Sequence, residues 1–188
     1  YDENILTSPN IMASGKLIDV LIERKVKDLG FDHNLLLEGD RMAIILFLRV
    51  TAFGENYIQT VIDPRSKKLV EGEINLSTLE NKKLIINPDE NGYFDFKLPK
   101  VGRNIKFRLL TGKDEEEIDV IDDELMERNK NDISSKTTIR LERSIMEVDG
   151  EKDKIRISNI LKSLPILDIR KLNKYMTEIE PGIIFKTT

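Results

Sequence analysis

The chain has 188 residues, of which 39% are apolar and 34% charged, a balance typical of a globular protein with one sizeable core or two small ones. Its 30 lysines and arginines against 34 aspartates and glutamates give a formal net charge of −4, which argues against general binding to nucleic acid or to an anionic membrane. No apolar run approaches the ~20 residues that a membrane-spanning helix needs.

The residue types that most often carry catalysis or hold metals are scarce. The chain has no cysteine, which excludes disulfides, thiolate metal sites and thiol catalysis. Its one histidine, His33, argues against a histidine zinc site or a Ser-His triad, and we expect this side chain to be solvated in a polar loop. Gly102-Arg103 and Gly112-Lys113 lack the spacing of a phosphate-binding loop. We therefore expect no enzymatic activity, no metal, no cofactor and no small-molecule substrate.

Two helices are predicted before residue 55. Ser8 can cap the start of the first helical stretch, and Ser14 can cap a second segment of it, in which apolar residues recur at three- and four-residue spacing. The run Met42–Ala52 is apolar on almost every face, and we expect a helix that Asp40 caps and Gly54 ends. Such a helix should be buried on nearly all sides.

Apolar residues that alternate from residue 55 onward predict an antiparallel meander of about five strands. The first two strands form a hairpin whose turn is Asp63-Pro64-Arg65-Ser66, with aspartate and proline at the positions that such turns favour. The later strands are expected around Leu84–Ile86, Tyr93–Phe96 and Ile105–Leu110. The connections are short, so strands that are neighbours in sequence should pair.

From Gly112 onward the pattern becomes helical, with helices from Gly112, from Ser134 or Ser135 to Gly150, around Ile157, and after Pro165. The predicted fold class is α+β, with an N-terminal helix pair, an antiparallel β-meander of about five strands and a C-terminal helical bundle. The corresponding segments are 1–54 (N-terminal helices packing on the sheet), 55–111 (the meander) and 112–188 (the C-terminal helical subdomain).

Opposite charges separate along the last third of the chain. Residues 114–124 are rich in carboxylates, whereas residues 136–174 carry an excess of lysine and arginine. The acidic run lacks the spacing of a calcium loop, so a solvated or partner-facing helix is the simpler interpretation. The basic run is interleaved with acids, which favours surface ion pairs and a protein interface. Two alternatives remain: a nucleic-acid-associated regulatory protein that uses the basic C-terminal helices, and a metal-dependent hydrolase that uses the acidic helix.

A chain without a visible reaction centre is expected to act by binding. Aromatic side chains dominate the energetics of interfaces, and complementary charges set the register between neighbours. Phe94, Phe96 and Phe107 are instead expected to fill the core between sheet and helices. The candidate interface residues are Tyr57, Tyr93, Arg140, Arg143, Arg156, Glu116, Asp119 and Asp123.

Six segments, in order along almost the whole chain, carry a resemblance to one family. Together they resemble the T4-type tailed-phage baseplate family, which includes the hub-assembly protein of contractile tails. The segments are Tyr1–Ser8, Leu36–Arg41, Leu48–Tyr57, Phe107–Thr111, Val148–Gly150 and Pro181–Gly182.

The resemblance implies a structural or assembly protein of a phage tail baseplate that acts through protein–protein contacts in or near the hub. Its partners would be other tail and baseplate proteins, with copies of itself among them, and its location the virion, after assembly in the host cytoplasm. A second form of this role is a transient assembly chaperone that is absent from the virion. Relatives carry a Cys-Pro-x-Cys turn where this chain has Asp63-Pro64-Arg65-Ser66, so we expect no metal knuckle at the hairpin tip.

Overall fold

The computed structural model describes residues 17–27, 30, 32–129 and 134–184, and the predicted caps Ser8 and Ser14 lie outside these ranges. The described residues form six α-helices and seven strands in small antiparallel sheets, so the predicted α+β class is confirmed. The helices are α1 (Leu17–Lys25), α2 (Glu38–Phe53), α3 (Gly112–Asn129), α4 (Lys136–Ser144), α5 (Lys154–Ser163) and α6 (Ile166–Ile179). The strands are β1 (Asn56–Ile62), β2 (Leu69–Asn75), β3 (Glu80–Lys82), β4 (Phe94–Lys97), β5 (Asn104–Phe107), β6 (Ile145–Val148) and β7 (Gly182–Ile184).

The chain divides into two compact units that interleave along the sequence, whereas the sequence predicts three consecutive segments with boundaries after residues 54 and 111. The apolar pattern marks individual elements, but tertiary pairing decides which elements share a unit. The described residues of unit 1 come from Tyr1–His33, Gly39–Lys82 and Pro181–Thr188, and those of unit 2 from Asn34–Glu38 and Lys83–Glu180.

The predicted helix α2 is present, but its start differs from the prediction. It begins at Glu38, so Asp40 lies inside the first turn and is not the N-cap. A carboxylate in the first turn still complements the positive end of the helix dipole, which explains why the residue type suits either position. Gly54 ends the helix as predicted, with a φ of +84° that favours glycine, and its N–H donates to the carbonyl of Val50 at 2.9 Å.

Most side chains of α2 are half-buried or exposed, so the predicted burial on nearly all sides is wrong. Arg41 is the buried residue of this helix, and its guanidinium pairs with Asp19 of α1. His33 also lies near Asp19, at 4.0 Å from Nε2 to the carboxylate, and is half-buried rather than solvated. Within the described residues, the apolar faces of α2 are therefore less covered than is usual for a helix of this composition.

Strands β1 and β2 form the predicted hairpin, with a continuous antiparallel register. Asp63 closes its tip, since its carboxylate accepts the N–H of Arg65 at 2.9 Å and both the N–H and the hydroxyl of Ser66. The hydrogen bond from the Ser66 hydroxyl is the main cause that holds the pKa of Asp63 below its usual value. Hydrogen bonds to the Asp63 carboxylate thus close this turn.

The predicted single meander is wrong, because the strands fall into three sheets: β1 with β2, β3 with β7, and β5 between β4 and β6. Leu84–Ile86 is not a strand, and its apolar side chains are exposed. The strand nearby is β3, which ends at Lys82 and pairs with β7 from the far end of the chain. Alternation identifies a segment with strand character, but it does not identify the partner that supplies the hydrogen bonds.

Unit 2 buries one hydrophobic core between the sheet β4-β5-β6 and helices α4, α5 and α6. The rings of Phe94 and Phe107 stack at 5.6 Å between centroids, and Tyr175 of α6 meets Phe107 edge-on. This confirms the prediction that Phe94 and Phe107 belong to the core, and Phe96 packs against the same cluster. Helices α3, α5 and α6 also lie where the sequence predicts helices.

The predicted helix up to Gly150 is wrong beyond Ser144, because the next four residues form β6. In β6, Val148 pairs with Ile105 and Ile145 pairs with Phe107, and all four side chains are fully buried. The spacing of Ile145 and Val148 also fits one face of a helix. Pairing with β5 buries them in the sheet instead, because tertiary context overrides local preference.

The connection between β4 and β5 is fixed by a buried carboxylate from α6. Asp168 is fully buried and accepts the N–H of Lys100 at 2.8 Å and the N–H of Val101 at 3.2 Å. A buried carboxylate is tolerated when such hydrogen bonds satisfy it. Asp168 therefore anchors this connection to the helix that packs beneath the sheet.

Candidate interaction surface

The β1–β2 hairpin exposes apolar side chains on both of its faces. Within the described residues each strand pairs only with the other, so each keeps one edge free. A two-stranded sheet without a third strand or a covering layer is marginally stable in water. The register places Tyr57, Val61, Val70 and Ile74 on one face and Ile58, Ile62, Leu69, Glu71 and Glu73 on the other.

The hairpin face that carries Ile58, Ile62 and Leu69 is the more exposed of the two. Ile58, Ile62 and Leu69 are 64–71% exposed, which is unusual for large apolar residues that lie on one face of a sheet. Glu71 and Glu73 are exposed on the same face, opposite Thr60 and Ile58. A partner suited to this face would combine apolar side chains with a positive charge.

Arg49, the charged residue inside the apolar run of α2, connects the end of that helix to the hairpin. Its Nη1 donates to the carbonyl of Gly54 at 3.2 Å. The guanidinium carbon lies 4.8 Å from the ring centre of Phe53 and 5.7 Å from that of Tyr57, within the range of cation–π attraction. Phe53 is 65% exposed, so the end of α2 adds aromatic surface beside the hairpin, and Phe47, 68% exposed, lies farther back on the same helix.

A cleft of about 490 Å³ lies between the end of α1 and the middle of α2. Its lining is mainly apolar, with Ile44, Phe47 and Leu48 from α2 and Val26 from the end of α1, and Lys25 and Lys27 add positive charge. Unit 1 therefore offers both a flat apolar face and a groove. Interfaces use such features for aromatic or aliphatic anchors.

Three of the charged residues predicted as interface contacts, Arg140, Arg143 and Asp119, form ion pairs between α3 and α4 inside unit 2. Arg140 Nη1 lies 2.6 Å from Glu115 Oε2, and Lys136 Nζ lies 2.8 Å from Asp119 Oδ1. These ion pairs join the acidic helix to the basic helix. The charge separation seen in the sequence therefore sets the register of two helices within the chain.

Arg143 belongs to a cluster centred on the buried Asp114. Arg143 pairs with Glu117 and lies 3.2 Å from Asp114, while Arg108 binds Asp114 through both terminal nitrogens at 2.6 and 2.7 Å. Burial raises the pKa of Asp114, but the hydrogen bonds from Arg108 and Thr111 and the charge of Arg108 outweigh it and hold that pKa well below its usual range.

Thr111 and Asp114 also form the capping box of α3. Asp114 Oδ2 accepts the Thr111 N–H at 2.9 Å, and the Asp114 N–H points back to Thr111 Oγ1 at 3.4 Å. Thr111 and Asp114 were not predicted to form a capping box. The signal that identifies them is threonine followed three positions later by an acid at the start of a helix.

The remaining predicted residues are spread over unit 2. Tyr93 is half-buried, and its N–H donates to Asp89 Oδ1 at 2.9 Å. Arg156 is exposed and pairs with Glu151 at 3.0 Å. Glu116 and Asp123 are exposed on α3. Tyr57 alone among the eight predicted residues belongs to unit 1.

The exposed apolar residues of unit 1 are candidate contacts that were not predicted from the sequence. Phe47 belongs to the run Met42–Ala52, which was expected to be buried, and no prediction was made for the exposure of Phe53, Ile58, Ile62 and Leu69. The sequence does carry a signal, because residues 57–62 are apolar in both phases of the alternation. Such a strand needs cover on both faces.

None of the helices in the described ranges is long and apolar enough to cross a membrane. The part of the chain that the structure describes also holds no group of three or more histidine, aspartate or glutamate side chains placed to bind a metal ion. Comparison of the chain with models of known families, with curated proteins and with solved structures gives no match in any of the three.

Proposed function

We propose that this chain is a structural or assembly protein that acts through contacts with other proteins. The observation that carries the proposal is the open face of the hairpin, where Ile58, Ile62 and Leu69 are exposed together. Covering this face would remove apolar area from water, at roughly 25 cal/mol per Å², and would supply the layer that a lone hairpin lacks.

The ion pairs of unit 2 favour a protein partner over nucleic acid. Arg140 and Arg143 are held by carboxylates of α3, so phosphate groups would have to compete with these ion pairs. The net charge of −4 also disfavours binding to the phosphate backbone of nucleic acid. We therefore favour a protein partner over the nucleic-acid-associated regulator.

The resemblance to the T4-type baseplate family indicates where such a protein would act and with which partners. We infer a place in or near the baseplate hub of a phage tail, with other baseplate proteins and copies of this chain as partners, and the virion as the location. Two of the resembling segments meet inside unit 1, where Gly39 packs against Pro181. A third, Leu48–Tyr57, contains the contact of Arg49 with Phe53 and Tyr57.

Two forms of this role differ in whether the protein stays in the finished particle. A resident subunit keeps its apolar face covered by a permanent neighbour, whereas an assembly chaperone covers a neighbour's surface and then leaves. Mass spectrometry of purified virions separates them. Stoichiometric presence identifies a resident subunit, and absence combined with failed tail assembly in a gene deletion identifies a chaperone.

The hairpin face is tested by replacing Ile58, Ile62 and Leu69 with serine in one variant and complementing the gene deletion with it. These side chains are already exposed, so we expect a folded protein and a large loss of assembled tails in electron micrographs. The matched control is Ile155→Ser together with Ile166→Ser, two equally exposed residues of unit 2. Normal tails in the deletion itself, or full complementation by the hairpin variant, would refute the proposed function.

A further inference from the structure

The two strands of the hairpin differ in the edge that each leaves free. The 7 residues of β1 include no charged residue, no glycine and no proline, and all of them are exposed. The edge of β2 carries Glu71 and Glu73 and contains Gly72. Natural proteins protect a free edge with charge, proline or irregular backbone, because its unpaired groups can bond to another strand. β1 has none of these three protections.

The hydrogen bonds at the two ends of the hairpin show which backbone groups of β1 point outward. The N–H of Leu76 donates to the carbonyl of Glu55 at 2.8 Å, and the N–H of Asp63 donates to that of Lys68 at 2.9 Å. In an antiparallel pair such bonds recur at every second residue, so the odd-numbered residues of β1 bond to β2. The N–H and C=O groups of its even-numbered residues are therefore directed at the free edge.

We propose that two copies of this chain pair through their β1 edges, antiparallel and across a two-fold axis, to form a four-stranded sheet with β2 on each outer side. With the two β1 strands in full overlap, Gln59 lies opposite Gln59 of the second copy, and Ile58 lies opposite Thr60. Even-numbered residues then meet even-numbered residues, so the outward N–H and C=O groups of one copy bond to those of the other. Such a sheet also removes the marginal stability of a lone hairpin.

Charge selects β1 over β2 for this contact. Pairing of two copies through β2 would place Glu71 opposite Glu73 of the second copy, and like charges directly opposite each other destabilise a sheet. Pairing through β1 brings no two charged side chains together. The glutamates then lie along both outer edges and oppose the addition of further strands. The assembly therefore closes at two copies and does not grow into a fibre.

The pairing enlarges the surface that the proposed function uses. Ile58, Ile62 and Leu69 lie on one face of the hairpin, and the two-fold axis places the same residues of both copies on the same side of the sheet. Two small patches become one apolar surface for a further partner. The inference rests on the proposed function in taking the hairpin as a protein contact, but the pairing itself can be measured without any tail protein.

Analytical ultracentrifugation of the 188-residue chain at rising concentration tests the pairing. We expect the 21.7 kDa monomer to give way to a species of twice that mass. Thr60→Pro removes an outward N–H and should weaken dimerisation about tenfold or more. Glu71→Pro is the matched control, because Glu71 lies opposite Thr60 and its N–H points to the other edge, so it should dimerise like wild type. A chain that stays monomeric up to millimolar concentration, or wild-type dimerisation of Thr60→Pro, would overturn the proposal.

Two charge variants test the register without changing the backbone. Gln59 is exposed, so Gln59→Lys and Gln59→Glu should both fold. Each variant alone should dimerise about threefold more weakly than wild type or worse, because like charges meet at the two-fold axis. An equimolar mixture should recover dimerisation, since lysine then faces glutamate. Wild-type dimerisation of both variants alone would contradict the register.

Cysteine cross-linking distinguishes the two edges, because the chain has no cysteine of its own. Facing residues that do not exchange hydrogen bonds have Cα atoms about 4.5 Å apart, which a disulfide can span. Gln59→Cys should therefore give a disulfide-linked dimer under mild oxidation. Gly72→Cys is the control, since residue 72 pairs with Gln59 in the hairpin and an added Cβ meets nothing closer than 3.8 Å, and it should run as a monomer on a non-reducing gel. Cross-linking through residue 72 instead of residue 59 would overturn the assignment to β1.

Tail assembly separates this inference from the proposed function. If the chain stays monomeric while the hairpin variant blocks tail assembly, the pairing of copies is wrong and the proposed function survives with another partner. If the chain pairs through β1 while the hairpin variant assembles normal tails, the inference survives and the proposed function is wrong.

Discussion

Arg108 and Asp114 form a two-pronged ion pair at the start of α3, with Nη1–Oδ2 at 2.6 Å and Nη2–Oδ1 at 2.7 Å. The same carboxylate accepts the N–H and hydroxyl of Thr111, both at 2.9 Å. One buried acid therefore ties the end of the β5 segment to the first turn of the acidic helix, and it does so with charge-assisted bonds, which are the strong ones.

Asp114→Asn should destabilise unit 2 by about 2–3 kcal/mol, because it leaves the guanidinium of Arg108 without its charged partner and weakens the capping box. The measurement is urea unfolding followed by circular dichroism. Asp119→Asn is the matched control, since its ion pair with Lys136 is exposed and should contribute under about 1 kcal/mol. Equal losses of unfolding free energy in the two variants would show that the ion pair of Asp114 contributes no more than an exposed one.

Acid should remove the contribution of Asp114 in a defined range of pH. Its pKa in the folded protein lies well below the ~3.9 of an unfolded chain, so this contribution is complete above that value and is lost as pH falls toward the folded pKa. We expect wild type to lose more stability between pH 6 and pH 2 than Asp114→Asn does. The difference between the two plots of unfolding free energy against pH measures the contribution of the Asp114 carboxylate. Parallel plots would contradict the prediction.

Gly39→Ala should destabilise unit 1 although alanine favours a helix. An added Cβ would lie 1.8 Å from the carbonyl oxygen of Pro181 and 2.9 Å from Gly182 Cα, so the helix and the start of β7 must separate. We expect a net loss of about 1–3 kcal/mol, against the gain of about 1 kcal/mol from helix propensity.

Hydrogen exchange measured by mass spectrometry should locate the effect of Gly39→Ala in β3 and β7, which pair with each other. Gly72→Ala provides the control, because its Cβ would meet nothing closer than the carbonyl oxygen of Gln59 at 3.8 Å. Unchanged protection of β3 and β7 in Gly39→Ala would mean that the contact with Pro181 is not tight in solution.

The two units should respond differently to loss of a leucine. Leu172 is fully buried in the core of unit 2, and Leu172→Ala should cost about 2–5 kcal/mol. Leu46 lies in the middle of α2 but is only half-buried, so Leu46→Ala should cost about 1 kcal/mol in the isolated chain. Thermal unfolding of both variants checks this order, and a reversed order would mean that α2 is the better buried element.

Local signals predicted the elements that depend on neighbours in sequence. The hairpin was predicted because Asp63-Pro64 is turn chemistry, and Asp63 does close the turn with its own hydrogen bonds. The break between α5 and α6 was predicted because Pro165 cannot continue a helix. The surface charges of α3 and α4 were predicted as well, but not that they pair with each other.

Predictions failed where the partner is distant in sequence. Ile145 and Val148 have a spacing that fits a helix, and only pairing with β5 makes them a strand. Leu84–Ile86 has the composition of a strand, but the available partner, β7, pairs with β3 instead. The open hairpin face was missed because an apolar residue in the sequence does not reveal whether anything covers it.

By itself the sequence determined the α+β class, the hairpin with its Asp63 turn, and the scarcity of residues for thiol or histidine catalysis, because these follow from residue types and from bonds between near neighbours. Only the tertiary structure decided that Arg140 and Glu115 meet, that Ser144 is buried with its hydroxyl unsatisfied, and that the hairpin keeps an exposed apolar face. These features depend on which distant segments pack together, and that choice is made by the burial of the whole core rather than by any local pattern.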